Sequence, residues 1–227
     1  MKSDHPATEY RVRVEAITWL SLTVFELRLE KPAGFSFLPG QKISCVIDGL
    51  SREYSLAGSP GQDTLAICIR LVPGGTVSPR LAKLNKGDII SISAPYGYFL
   101  YRPGRGRAVL VATGTGIAPF VSYSLSGVEG YIILHGVTAV NELYYRKELQ
   151  KNATLYVPCI SDEEEKLVKL YEGFSGRVTT YLRERLPKGT YNFYLCGNGA
   201  MIRDAVELID RQFPKSRVFT ETFFISD

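Results

Sequence analysis

Apolar positions alternate along the first hundred residues with a period of two. Val12, Val14 and Ala16 share one face of a strand predicted over residues 10–17. Val24, Phe25, Leu27 and Leu29 carry a second strand over 22–29. Further short strands are predicted over 43–47, 65–71 and 88–93. They are separated by turn residues at Lys31-Pro32-Ala33-Gly34, Pro39-Gly40, Pro60-Gly61 and Lys86-Gly87-Asp88. Several short strands with regular turn signals point to a closed or sandwiched antiparallel sheet, interrupted by one short helix over 78–84. Residues 101–106, rich in Gly, Pro and charge, read as a linker. Beyond them the pattern changes. Continuous apolar strands over 108–112, 131–134, 155–160, 191–195 and 217–220 alternate with helical stretches over 140–149, 178–186 and 200–213. Fully apolar strands alternating with helices imply a parallel sheet covered on both faces.

The length of 227 residues suits two modest domains, and 45% hydrophobic content is ordinary for a globular protein. The sequence holds no apolar run near the ~20 residues of a membrane span. The start, Met1-Lys2-Ser3-Asp4-His5-Pro6, lacks the apolar core of a secretory signal, so a cytoplasmic location is expected, with no membrane partner. Cys45, Cys68, Cys159 and Cys196 are scattered without C-x-x-C spacing, and only His5 and His135 are present. No zinc, iron–sulfur or other metal site is therefore expected. A net charge of +4 without a long basic run gives no reason to expect nucleic-acid binding. There is no internal repeat. The acidic run Asp162-Glu163-Glu164-Glu165 reads as a solvated loop.

Four short motifs carry candidate chemistry. Gly114-Thr115-Gly116-Ile117-Ala118-Pro119 follows a strand and opens a predicted helix, where backbone N–H groups and the helix dipole can hold a pyrophosphate. A tight turn without a ligand would look the same. Pro119 stands where a dinucleotide fingerprint would place its third glycine, which argues against an ordinary Rossmann dehydrogenase. Gly74-Gly75-Thr76-Val77-Ser78 precedes the short helix of the β half. It reads either as a second anion site or as a hairpin with Ser78 as N-cap. In Arg52-Glu53-Tyr54-Ser55, Arg52 and Tyr54 share one face of a strand and Ser55 takes the other. The arginine suits a phosphate and the tyrosine a flat heterocycle, although a surface Arg and a half-buried Tyr would need no ligand. Cys196-Gly197-Asn198 follows an apolar strand. It therefore falls at the same sheet edge as Gly114 and can line one crevice with it, unless Cys196 is simply a small buried hydrophobe.

In this order the motifs resemble the ferredoxin–NADP(+) reductase-like flavoprotein family, in its bacterial, FAD-containing NAD(P)H reductase form. The resemblance runs from about Tyr10 to Phe224. It implies a six-stranded antiparallel Greek-key β-barrel for FAD over residues 1–102, then a five-stranded parallel α/β nucleotide-binding domain over 107–227. It implies that Arg52, Tyr54 and Ser55 bind the flavin and that Gly74, Gly75, Thr76 and Ser78 lie at its pyrophosphate. Gly87-Asp88 and Pro95-Tyr96-Gly97-Tyr98-Phe99 match the end of the barrel. Thr113, Gly114, Thr115, Gly116 and Pro119 resemble the pyridine-nucleotide turn, and Cys196, Gly197, Asn198 and Met201 the nicotinamide side. Thr220-Glu221-Thr222-Phe223 resembles an ending in which an aromatic ring, here Phe223 or Phe224, covers the flavin.

The same resemblance implies hydride transfer from NADH or NADPH to FAD, then single-electron steps to a separate acidic carrier, ferredoxin or flavodoxin. The reductase itself is expected to be a monomer. Ser55, Cys196 and Glu221 are the implied catalytic group around the flavin–nicotinamide contact. Two other readings stay open: a free-flavin or ferric reductase, and an electron-transfer or regulatory subunit of a larger complex. Where NADP-specific members carry arginines, this chain has Thr138 and Ser161-Asp162-Glu163. Carboxylates there would repel a 2′-phosphate, which inclines the expectation to NADH unless Arg146 and Lys147 offset them.

Overall fold

A computed structural model describes residues 9–104 and 106–223. The chain forms two compact units, 1–101 and 102–227. The first contains β1 (Glu9–Trp19), β2 (Val24–Glu30), β3 (Lys42–Ile47), β4 (Leu50–Ser55), β5 (Thr64–Arg70), α1 (Ser78–Leu81) and β6 (Ile89–Ser93). Their order is β4-β3-β6-β1-β2-β5, all antiparallel. The two ends of this sheet meet where Leu56 bridges Ile67 and the Ala57 N–H donates to the Ala66 carbonyl at 2.8 Å. The result is the nearly closed Greek-key barrel expected, in which closure removes exposed strand edges. Phe25, Leu27, Leu29, Ile43, Cys45, Ile67 and Ile92 fill its interior. Each large apolar side chain buried there stabilises the unit by about 1.5–3 kcal/mol. The short helix is one four-residue turn, α1, where periodicity predicts it over 78–84.

The second unit contains β7 (Arg107–Thr113), a 3-10 turn (Gly114–Ile117), α2 (Ala118–Leu125), β8 (Tyr131–Val137), α3 (Arg146–Gln150), β9 (Ala153–Ile160), α4 (Glu165–Leu170), β10 (Phe174–Ser175), α5 (Val178–Glu184), β11 (Tyr191–Asn198), α6 (Gly199–Gln212) and β12 (Arg217–Phe223). The sheet is parallel, in the order β10-β9-β8-β7-β11-β12. Five strands match the expectation, and β10 adds a sixth of only two residues. One face packs Val109, Val111, Leu134, Phe193 and Leu195 against α5 and α6. Over the other, α2 lays Tyr123 against Tyr194 at 6.0 Å between ring centroids.

Two stretches differ from the periodicity. The helix expected over 140–149 is broken into a 3-10 turn (Val140–Glu142) and α3, with Tyr145 left-handed between them at φ 60°. Tyr144 is drawn inward there, edge-on to the buried His135 ring at 5.6 Å. The acidic run leads directly into α4, which the charge pattern conceals because Val168 is its only buried residue. Glu165 and Lys169 pair across one turn of it at 2.8 Å. No helix among the described residues is long and apolar enough to cross a membrane. No group of three or more His, Cys, Asp or Glu among them could hold a metal ion.

Candidate cofactor and nucleotide sites

On β4, Tyr54 lies opposite Ile43 and Arg52 opposite Cys45, so both share the face of β3 that turns into the barrel. The Tyr54 ring packs against the core and Arg52 stays exposed. Burial, reinforced by the neighbouring Cys45 and partly offset by Arg52, pushes the Tyr54 hydroxyl well above its ordinary value, so it stays protonated. Ser55 takes the opposite face and is buried. Glu53, the residue between, is one that motif reading passes over. Its carboxylate accepts from Lys42 Nζ at 2.6 Å and from the Tyr96 hydroxyl at 2.7 Å, while the Lys42 ammonium sits 5.4 Å from the Tyr96 ring centroid. This polar triad ties β3, β4 and the 95–99 segment together. Its only signal in the sequence is the alternation that places Glu53 across the strand from Arg52 and Tyr54.

The turn at Gly74 is left-handed, at φ 75°, and a side chain there would meet open space. The Gly75 N–H donates to the Val72 carbonyl at 2.9 Å, and the Val72 N–H donates to Ser78 Oγ at 3.0 Å. Ser78 is therefore a staple across the turn. It is not the N-cap: Val77 holds that position, Ser78 starts the helix and Pro79 follows. Arg80 ties the same turn to the barrel, donating to the Thr76 carbonyl and, at 3.1 Å, to Asp48.

In the second unit the chain runs outward from β7 through α2 to β8 in one direction along the sheet. It then returns past β7 to β11 on the other side. The pair β7–β11 is thus the topological switch point, where open α/β sheets form their ligand crevice. Both glycine turns lie there and they interlock. A Cβ on Gly116 would lie 2.4 Å from the Cys196 carbonyl oxygen and 2.7 Å from the Gly197 Cα. Gly197 is left-handed at φ 127°, and a Cβ there would lie 2.4 Å from Thr113 Oγ1. The Asn198 N–H donates to the same Thr113 oxygen at 2.9 Å. Asn198 then caps α6, accepting from Ala200 N at 2.8 Å and Met201 N at 3.2 Å. The turn 113–117 and the segment 196–198 form one interlocked rim. Pro119 falls in the first turn of α2, where its missing N–H leaves no gap.

Cys196 is fully buried and lies in register with Glu221 of β12, with Asn198 opposite Phe223. The motif continues the strand, since β11 runs through Asn198. Glu221 and Phe223 are half-buried; Phe224 lies outside the described residues. Beyond β8 and β9 two further loops are laced together. Thr138 N donates to Glu142 at 3.0 Å, Val140 N to Glu163 at 3.4 Å, and Asp162 N to the Thr138 carbonyl at 3.0 Å. Arg146 does not reach this mouth as the sequence allows. Its guanidinium stacks on Tyr156 and Tyr171, 5.8 Å from each centroid, and pairs with Glu172 at 3.6 Å. Tyr156 lies four residues before the end of β9, roughly 13 Å back along the strand.

Comparison with known proteins finds matches to both units. The model of an oxidoreductase FAD-binding domain matches residues 12–101, and that of an oxidoreductase NAD-binding domain matches 110–207. The xylene/toluene monooxygenase electron transfer component XylA of Pseudomonas putida is 29% identical over 221 residues, covering 90% of this chain and 63% of its own. The phenol 2-monooxygenase reductase component DmpP of Pseudomonas sp. (strain CF600) is 28% identical, covering 97% and 67%. The chain thus spans about two thirds of the length of these relatives. Among solved structures, the Amycolatopsis cytochrome P450 reductase GcoB superposes with a TM-score of 0.82 at 25% identity, covering 96% of this chain and 71% of that one. A ferredoxin NADP+ reductase from Neisseria gonorrhoeae, solved with FAD and NADP, shares the fold at a TM-score of 0.83 and 21% identity, covering 96% of this chain and all of that one. With both domain models matched in sequence order and the two-unit fold shared, the chain belongs to the ferredoxin–NADP(+) reductase-like flavoprotein family.

Proposed function

We propose that this chain is an FAD-dependent NADH reductase that delivers electrons to a separate one-electron carrier protein. The observation that carries the reading is the interlocked rim of Thr113, Gly116 and Gly197 at the switch point, in a chain that also presents Arg52 and Tyr54 on one barrel strand. Bound FAD would supply the chemistry, accepting a hydride and releasing electrons singly. The protein's contribution is to bind and orient. Arg52 offers a cation for phosphate, and Tyr54 a ring held by the core and kept protonated by burial. Gly74, Gly75, Thr76 and Ser78 form a stapled turn with open space above Gly74. These features fit a flavin nucleotide.

On the α/β unit, Gly114, Thr115 and Gly116 present backbone N–H groups ahead of α2 for the nucleotide pyrophosphate, with Thr113, Pro119, Asn198 and Met201 fixing the rim. Cys196 and Glu221 are assigned to the flavin–nicotinamide contact, Phe223 to the flavin face that the nicotinamide meets, and Ser55 to the flavin ring. Glu142, Asp162 and Glu163 lie in the loops at the mouth beyond β8 and β9, while Arg146 is held by two rings and a carboxylate. That charge pattern favours NADH over NADPH. The names of the relatives, an electron transfer component and a reductase component of monooxygenases, support a protein acceptor.

The test is stopped-flow bleaching of the FAD-loaded protein by NADH and NADPH in parallel. Bleaching at least tenfold faster with NADH is expected. No bleaching by either nucleotide would overturn the function, and equal or faster bleaching by NADPH would overturn the nucleotide preference.

A further inference from the structure

β12 is the edge strand that carries Glu221 and Phe223, and among the described residues β11 is its one partner in the sheet. From Phe219 onward half-buried residues alternate with exposed ones and none of the strand is fully buried, so its own burial holds it weakly. Two residues before Glu221, however, Phe219 stacks on Tyr194 of β11, with centroids 4.8 Å apart and planes inclined by 21°. Tyr194 is fully buried and meets Tyr123 of α2 edge-on. The guanidinium of Arg102 lies 5.3 Å from the Phe219 centroid. The Arg102 backbone is fixed by the same tyrosine: its N–H donates to the Tyr194 hydroxyl at 2.9 Å, and its carbonyl lies 3.3 Å from that oxygen. Tyr194 and Cys196 share one face of β11, as Phe219 and Glu221 share one face of β12. The stack therefore stands one pleat before the Cys196–Glu221 pair on the same side of the sheet.

We propose that Tyr194, Phe219 and Arg102 form a positioning element that clamps the edge strand β12 to β11, keeping Cys196 covered and Glu221 in register beside it. The clamp works by area and geometry. A parallel ladder alone leaves an edge strand free to fray at its last residues. An offset aromatic pair capped by a cation adds a contact that only the registered strand can make. The importance of that register for hydride transfer rests on the function proposed above; the clamp itself does not.

All four cysteines are buried, so native alkylation by iodoacetamide, read peptide by peptide by mass spectrometry, reports each position separately. In Phe219→Leu, Cys196 should be labelled at least tenfold faster than in the wild type, while Cys45, Cys68 and Cys159 keep their rates. Phe219→Tyr, which retains the stack, should restore protection. Arg102→Ala creates no cavity and should raise Cys196 labelling about threefold, which decides the matter if Phe219→Leu does not fold. Wild-type protection of Cys196 in both variants would overturn the clamp, and so would an equal rise at all four thiols. Bleaching by NADH is then compared in the same variants. Failure of the wild type to bleach sinks the proposed function while leaving the labelling result to stand. A bleaching rate lowered at least fivefold in Phe219→Leu, at unchanged NAD+ affinity, links the clamp to the chemistry; an unchanged rate removes that link.

Discussion

Gly116→Ala is the sharpest test of the interlocked rim. The added methyl carbon would sit 2.4 Å from the Cys196 carbonyl oxygen, 2.6 Å from its carbonyl carbon and 2.7 Å from the Gly197 Cα. These are backbone atoms of a strand paired on both sides, so no side chain can rotate away. Gly116 has ordinary backbone angles, so the substitution would by itself gain about 0.4–1 kcal/mol from the stiffer unfolded chain. Overpacking against a fixed backbone costs typically about 1–3 kcal/mol and wins. In a chain of this size the net loss, up to about 2.6 kcal/mol, lowers Tm by up to about 10 °C. Relief requires the turn 113–117 to move off residues 196–198, which breaks the rim, so NAD+ affinity should fall on the order of tenfold or more. Differential scanning calorimetry and isothermal titration with NAD+ measure the two effects. Gly104→Ala, where a Cβ meets open space, is the control. Wild-type Tm and wild-type NAD+ affinity in Gly116→Ala would refute the steric argument and the site built on it.

Three further outcomes follow from single contacts. Burial lowers the His135 pKa from 6.5 to about 3, so between those values the unfolded chain takes up a proton that the folded one refuses. Stability from this group is full above pH 6.5 and declines as pH falls toward 3. His135→Leu should lose about 1–3 kcal/mol at pH 8, where Tyr156 forfeits its partner. It should then decline less than the wild type between pH 7 and pH 4 in urea unfolding, and parallel declines would contradict the account. Asn198→Ala removes two acceptor contacts at the start of α6 and should cost about 0.5–2 kcal/mol by thermal unfolding, with Asn198→Asp close to wild type. Arg52→Ala alters an exposed side chain and should change apo-protein stability by no more than about 1 kcal/mol, while FAD retention on gel filtration drops at least tenfold. Full retention would remove Arg52 from the flavin site.

Much of the fold is legible in the sequence because the signals that specify it are local. Alternation at Val12 and Val14, or at Leu27 and Leu29, follows from the pleat of a strand with one face on a core. The continuous apolar strand of β7 follows from burial on both faces of a parallel sheet. The glycine turns at 74, 114 and 197 announce themselves because only glycine enters their left-handed angles cheaply. Even the facing of Arg52 and Tyr54 against Ser55 follows from a period of two.

What the sequence leaves undecided depends on neighbours distant along the chain. The helix pattern over 140–149 breaks because Tyr144 packs edge-on against His135, and α4 hides because only Val168 of its residues is buried. Arg146, available to a phosphate by position, is claimed by Tyr156, Tyr171 and Glu172, ten to twenty-six residues away. Ser78, which by sequence also fits as a cap, instead staples the turn. Arg102 and Phe219, unremarked as residue types, meet through Tyr194 across more than a hundred positions. Periodicity and turn chemistry thus determine most of the elements and the order of the two units. The Greek-key strand order, the switch point at β7 and β11, and the locking of Thr113 and Gly116 onto residues 196–198 arise only when the chain closes on itself. Those contacts are set by steric fit between remote backbones, and no local pattern encodes that fit.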